Sequence, residues 1–221
     1  MVFKATGTVS IDQLLQGMSL FDSPAILPRE QRLYPCVADE DQEPVGLIQP
    51  DIDHGPWIAG GAALQWYQLQ PVGLSDIDVF CCDEQQALAV IERIKNHPDS
   101  VIRYRTANAV TFELQRKGLD PDWRIQIIIA QYYADIESVL DNFDITVCKI
   151  GTAGQEWRLG PTTARDVRDQ VLRMTQPLRG GAVKRLIKYW TYGYEPVEGL
   201  VESIADNGAT QWVFNSDEDY R

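Results

Sequence analysis

Apolar and polar positions along this chain change period several times, and each change marks a new element. Trp57-Ile58-Ala59 is a short apolar run that ends at Gly60-Gly61. Positions 62–70 then bring Ala63, Trp66 and Tyr67 together at helical spacing before Pro71 stops the pattern. From 76 to 82 the period is two, with Ile77, Val79 and Cys81 on one side and Asp76, Asp78 and Phe80 on the other. Asp83 with Gln86 has the form of a capping box and opens a helix to Asn96, whose apolar side is Ala87, Leu88, Ile91 and Ile94. Segments 101–106 and 109–115 read as a hairpin about Ala107-Asn108, one face buried and one wet. Segment 123–130 alternates Trp123, Ile125, Ile127 and Ile129 with Arg124, Gln126 and Ile128, and is expected to be a central strand. A helix over 134–142 turns Ile136, Val139 and Leu140 inward. It leads into 143–148, read as a further strand that begins with Asp144.

The flanks read differently. Positions 10–18 fit a short helix with Ser10 as N-cap. Residues 22–55, broken by prolines at 24, 28, 35, 44 and 50 and by the run Asp39-Glu40-Asp41, read as a long irregular segment placed to cover the glycine turn and the acids of residues 60–78. Beyond Gly151 the spacing turns helical through Ala164, Val167, Val171 and Met174, and again over 182–192. A last helix is opened by Pro196 and carries Val197, Leu200, Val201 and Ile204, before a frayed acidic tail. The organisation expected is a core over 1–150, carrying the segment 22–55, and a helical C-terminal part over 151–221. The fold class is α/β (α+β), with helices flanking a β-sheet.

Composition narrows the function classes. The chain has 221 residues, 44 % of them hydrophobic, enough for one sizeable core. A net charge of -12 argues against an indiscriminate binder of DNA, RNA or anionic membrane. Cys36, Cys81, Cys82 and Cys148 have no metal-ligand spacing and suggest no disulfide framework. The first twenty residues hold only short apolar clusters, so neither a secretory signal nor a membrane span is expected; the compartment expected is cytoplasmic, with no membrane partner. Trp57, Trp66, Trp123, Trp157 and Trp190 are expected in or under the core. His54 and His97 are expected in surface loops.

The candidate chemistry lies where a glycine turn precedes two acids. Asp76 and Asp78 on one strand face are costly together unless something cationic sits between them, and a divalent metal is the usual solution. Gly60-Gly61 gives a turn whose backbone can approach a phosphate at the start of a helix. A basic stretch lies further on: Arg165, Arg168, Arg173, Arg179, Lys184, Arg185 and Lys188 against Asp166 and Asp169, a local balance of +5. Lys184 and Lys188 stand four apart, with Arg185 beside them, and facing the acids they would bind a triphosphate. Tyr189 or Tyr192 would stack on a base.

Glycine pair, Asp-x-Asp on the next strand and a later Asp together resemble the nucleotidyltransferase superfamily, the fold of DNA polymerase β. The resemblance covers 57–150. It implies a mixed-sheet nucleotidyltransferase-like core, with Asp76, Asp78 and Asp144 as catalytic residues and ligands of two Mg²⁺ (or Mn²⁺) ions. Gly60, Gly61, Ser75, Lys184 and Lys188 would form the nucleotide site. It implies transfer of a nucleotide from an NTP such as ATP to a hydroxyl or phosphate acceptor that is RNA, protein or a small molecule, with pyrophosphate released. Two departures stand out: Ala62 replaces the hydroxyl residue that usually comes after the glycines, and Gln126 occupies the strand with the clearest register for a third acid. With Asp144 the triad is complete; with Gln126 the chain is a non-catalytic nucleotide- or RNA-binding relative. An acidic protein-interaction module needing no metal is the remaining alternative.

Overall fold

The structure, a computed structural model, describes residue 37 and residues 39–70, 72, 76–116, 122–175 and 181–201. The expected helix over 10–18, Cys36, Pro71, Ser75, Arg179 and the acidic tail lie outside the described residues. Among the described residues nine strands are formed by β1 (Trp57–Ala59), β2 (Ile77–Phe80), β3 (Ser100–Arg105), β4 (Ala109–Leu114), β5 (Trp123–Ile128), β6 (Ile150–Thr152), β7 (Trp157–Leu159), β8 (Val171–Leu172) and β9 (Glu195–Pro196). Six helices accompany them there: α1 (Gln42–Ile48), α2 (Gly61–Tyr67), α3 (Glu84–Lys95), α4 (Ile136–Asp141), α5 (Thr163–Arg168) and α6 (Ala182–Thr191).

Seven strands make one mixed sheet in the order β3-β4-β5-β2-β1-β6-β7, while β8 and β9 pair separately. Only β2 and β5 run parallel within it, with Asp78 opposite Gln126. The period-two pattern explains the two faces of this centre. Ile77, Val79, Ile125 and Ile127 point into a core that also contains Val90 and Ile94 of α3 and Ile48 of α1. Asp76, Asp78, Arg124 and Gln126 alternate with them and occupy the opposite face. Asp83 caps α3 by accepting from Gln86 N at 2.7 Å, while Gln86 Oε1 accepts from Cys82 N at 2.9 Å.

Helix α2 is buried nearly all round and joins two cores. Ala62 and Trp66 face the first, and Ala63, Leu64 and Tyr67 face a second built with Ile145, Val147 and Ile150. Leu186 and Tyr189 of α6 complete that second core, which places α6 beside the acidic sheet face.

Several expectations are corrected. Within residues 22–55 the described residues 49–55 are irregular, whereas Asp39–Asp41 is a 3₁₀ turn leading into α1, and Pro44 is tolerated in the first helical turn, where no intrahelical N–H is required. This helix packs on α3, where Arg93 donates to the carbonyls of Leu47 and Ile48, so it lies on the face away from Asp76 and Asp78 and covers no acid. Residues 143–148 do not form a strand. Ile145 makes one isolated bridge to Met174, and Thr146–Cys148 is a 3₁₀ turn that buries consecutive residues, which a strand cannot do on one face.

The sheet continues past residue 151 through β6 and β7. The helical run from Ala164 ends at Arg168, because Gln170 takes φ +52° and Val171 enters β8. Along α3, Val90 is buried whereas Leu88 is 49 % exposed. The hairpin's second arm is buried on both faces and its first arm, β3, is exposed. Trp57, Trp66 and Trp123 are core residues as expected, but Trp190 is half exposed. Cys81, Cys82 and Cys148 are free thiols. No described helix is long and apolar enough to cross a membrane.

Asp41 is fully buried. It accepts from the indoles of Trp66 (2.8 Å) and Trp123 (2.7 Å) and from Val72 N (2.6 Å), with Arg116 Nη2 at 3.9 Å. Removing it leaves three N–H groups and a guanidinium without their acceptor. Asp41→Ala is expected to cost about 3 to 5 kcal/mol by urea unfolding, and Asp41→Asn, which keeps one acceptor oxygen, clearly less. Equal losses for the two variants would show that the carboxylate's charge, not its hydrogen bonding, is what counts.

Candidate active site

The strand-turn-helix around Gly60 exists as the residues predict, for a steric reason. Gly60 has φ +84°, and a Cβ there would meet Phe143 Cε1 at 3.0 Å and approach Asp78 Oδ2 at 3.9 Å. Its amide is not turned to a ligand, since Gly60 N donates to Ile150 O at 3.0 Å and so joins β1 to β6. Gly61, at the start of α2, does line the cleft that opens here.

That cleft has a volume of about 210 Å³, and its walls include Gly61, Asp76, Asp78, Gln126, Asp144, Arg185 and Lys188. Asp76 and Asp78 share a face of β2, as their alternation requires. Gln126 reaches the same face from β5 as the register partner of Asp78. Asp144 arrives by a different route: its carbonyl accepts from Thr175 N at 2.7 Å, and its buried carboxylate is bound by Arg185 Nη2 at 2.5 Å. Both candidates for the third position therefore line one cleft, but they do different things there.

The charges are closely matched. Arg124 Nη1 donates to Asp76 Oδ1 at 3.1 Å, and Arg185 holds Asp144. Lys188 lines the same cleft as Asp78. Burial, then the neighbouring Asp76, pushes the Asp78 carboxyl up to about 7, and Lys188 offsets this only in part. Burial likewise pushes the Cys148 thiol up to about 12, so it lines the cleft as a neutral group.

Among the described residues, no three of the His, Cys, Asp and Glu side chains are grouped to hold a metal ion. All three expected carboxylates, Asp76, Asp78 and Asp144, line the cleft, with that of Asp144 paired to Arg185. Two carboxylates on one strand do fit a single Mg²⁺, which commonly takes one or two protein carboxylates and fills its shell with waters and substrate phosphate oxygens.

Of the basic residues, Arg185 and Lys188 line the cleft, three apart on α6, while Lys184 does not. Arg165 and Arg173 approach buried Asp166, and Arg168 pairs with Asp169, so these serve the C-terminal packing instead. Tyr189 is buried edge-on against Tyr192 and Tyr194 and lines the cleft, while Tyr192 is half exposed. His54 is exposed beside Asp51, and His97 lies 3.5 Å from Glu43. Sequence reasoning did not find Arg124 or the Arg185–Asp144 pair. The alternation of β5 places Arg124 on the acidic face and is a usable signal, whereas nothing local points to a partner 41 residues away.

The model of the Gabija anti-defense 2 family matches residues 33–170, more than half of the chain. No curated protein matches the sequence. Among solved structures, the CCA-adding enzyme of Bacillus stearothermophilus in complex with CTP is similar, with a TM-score of 0.56 at 17 % identity, over 78 % of this chain and 45 % of that one. A CCA-adding enzyme in complex with ATP gives 0.51 at 17 % identity, over 91 % and 46 %. The chain spans less than half the length of these enzymes. At such identities the likeness shows the fold alone: the mixed sheet and its helices are arranged like those of the CCA-adding enzymes.

A raised carboxyl means the folded chain holds a proton that the unfolded chain has released, so Asp78 lowers stability as pH rises from about 4 to about 7. Asp78→Asn is expected to raise the melting temperature of the metal-free protein at about pH 8, with the gain vanishing near pH 4. A gain independent of pH would contradict the assignment.

Proposed function

The chain belongs to the Gabija anti-defense 2 family, and we propose that within it this chain is a metal-assisted nucleotidyltransferase whose substrate is a nucleoside triphosphate. The observation that carries this reading is the facing of two strand-borne carboxylates, Asp76 and Asp78, by two cationic side chains, Arg185 and Lys188, across one cleft. A cleft of about 210 Å³ is smaller than the roughly 300 Å³ at which whole-ligand pockets begin, so it suits the polyphosphate and leaves the base at its rim. Half-exposed Tyr192, with Lys188 over its ring at 5.9 Å, stands as a candidate neighbour for that base.

The roles divide by chemistry. Asp76 and Asp78 would hold the divalent ion, which when bound neutralises the phosphates and makes the α-phosphorus easier to attack. Lys188 would take charge that builds on departing pyrophosphate as the acceptor oxygen bonds to the α-phosphorus. Asp144 would act through Arg185, fixing the guanidinium at the cleft wall rather than ligating metal. The CTP and ATP held by the similar enzymes support a nucleotide here. In keeping with the family's name, the product of this transfer would act against the Gabija system.

A second reading has its own support: Gln126 stands opposite Asp78 where a proton-accepting or metal-binding acid would serve turnover, and this favours a nucleotide binder that does not catalyse. With Mg²⁺ present, at least one NTP is expected to raise the melting temperature and to release pyrophosphate with an acceptor. Asp76→Asn with Asp78→Asn is expected to abolish both, together with anti-Gabija activity in cells. A melting shift without pyrophosphate supports the binder, and no shift with any NTP removes both nucleotide readings.

A further inference from the structure

Resting on that nucleotide reading, we propose that Gln126 makes the site take up its divalent ion together with the triphosphate and not alone. It does so by presenting a neutral amide oxygen where a carboxylate would draw in the free ion.

Three observations carry this. Thr111, Gln126 and Asp78 are register partners on β4, β5 and β2, so they form one row across the sheet on the face of the cleft. Neighbouring strands are about 4.8 Å apart, which puts Gln126 within reach of anything Asp78 ligates. The amide of Gln126 is also oriented. Its Nε2 donates to Thr111 Oγ1 at 3.4 Å, which anchors the amide within the row it shares with Asp78. Thr111 is fully buried and cannot turn away to solvent.

The third observation is the charge balance. The described charged groups that line or bond the cleft are Asp76, Asp78 and Asp144 against Arg124, Arg185 and Lys188. They sum to zero. A hydrated divalent ion gives up water reluctantly and needs net negative charge to draw it in. A neutral cleft does not supply that. A triphosphate supplies it, bringing oxygens that complete the ion's shell beside Asp76, Asp78 and the Gln126 oxygen. The same phosphates find Arg185 and Lys188 on the facing helix. Ion and nucleotide thus enter as one unit, and a carboxylate at 126 would separate the two events.

Equilibrium dialysis of the full chain against Mn²⁺ tests this, with and without α,β-methylene analogues of the four NTPs. The wild type is expected to retain Mn²⁺ only with an analogue. Gln126→Glu is expected to bind free Mn²⁺ about tenfold more tightly than wild type, an added carboxylate being the stronger ligand for a hard cation. Gln126→Met, which keeps the volume and loses the oxygen, is expected to weaken retention with the analogue while remaining folded, its melting temperature lowered only by the loss of the Thr111 partner. Tight binding of free Mn²⁺ by the wild type overturns the proposal, as does a Gln126→Glu protein, folded by its melting curve, that gains none. In both cases binding with an analogue leaves the nucleotide reading intact. Failure of every analogue to promote Mn²⁺ retention overturns that reading and this inference together.

Discussion

The carboxylate of Asp41, sealed in the core, is the constraint on which the positions of the other elements depend. Its two oxygens take N–H bonds from Trp66 on α2, Trp123 on β5 and Val72 in the connection before β2. Arg116, just past the end of β4, lies over the Trp123 ring at 4.9 Å and donates to Val72 O. A buried charge of this kind adds little net stability, because desolvation offsets its attractions; what it does is select one arrangement. Helix α2 begins at the glycine turn and β5 carries Gln126, so one group on the far side of the sheet sets both the turn and the strand that bound the cleft.

The second core transmits the same order to the cations. Tyr67 and Ala63 of α2 pack with Leu186 and Tyr189 of α6, and Ile145 and Val147 fill the space between. Arg185 and Lys188 lie one turn and one residue before Tyr189 on α6, and both line the cleft beside the acids. The ion pair of Arg185 with Asp144 then ties this helix to the chain just before the 3₁₀ turn. Hydrophobic packing positions the helix, and the ion pair sets the direction of one guanidinium. Neither device works without the other, since a long side chain on a well-placed helix retains several rotamers until something holds its end.

What the chain announces locally is what depends on neighbours in sequence. The shared face of Asp76 and Asp78, the cap of Asp83 on α3 and the positive φ of Gly60 each come from spacing over a few residues. What it hides depends on distant partners. Asp41 sits in an Asp-Glu-Asp run that reads as part of an irregular segment, and its three donors are 25, 31 and 82 residues away. Residues 143–148 alternate like a strand but find only one bridging partner, so the chain tightens into a 3₁₀ turn and buries Thr146, Val147 and Cys148 together. The choice left open by the residues, Asp144 or Gln126, has a spatial answer of the same kind. Both reach the cleft, Asp144 through a contact at a separation of 41 and Gln126 through a strand register.

Asp78 shows the cost of such a site. A strand that buries Ile77 and Val79 on one face must present Asp78 to the other, and there burial and Asp76 disfavour its charge. A glutamate at 126 would stand directly across from it and raise that cost again, with no further described cation lining the cleft to offset it. The amide avoids this while keeping an oxygen in place, so the cleft by itself is less strained and the charge that completes it arrives from outside. Stability of the unliganded fold and affinity for a lone cation pull in opposite directions at this one position, and glutamine is the side chain of nearly unchanged size that favours the fold.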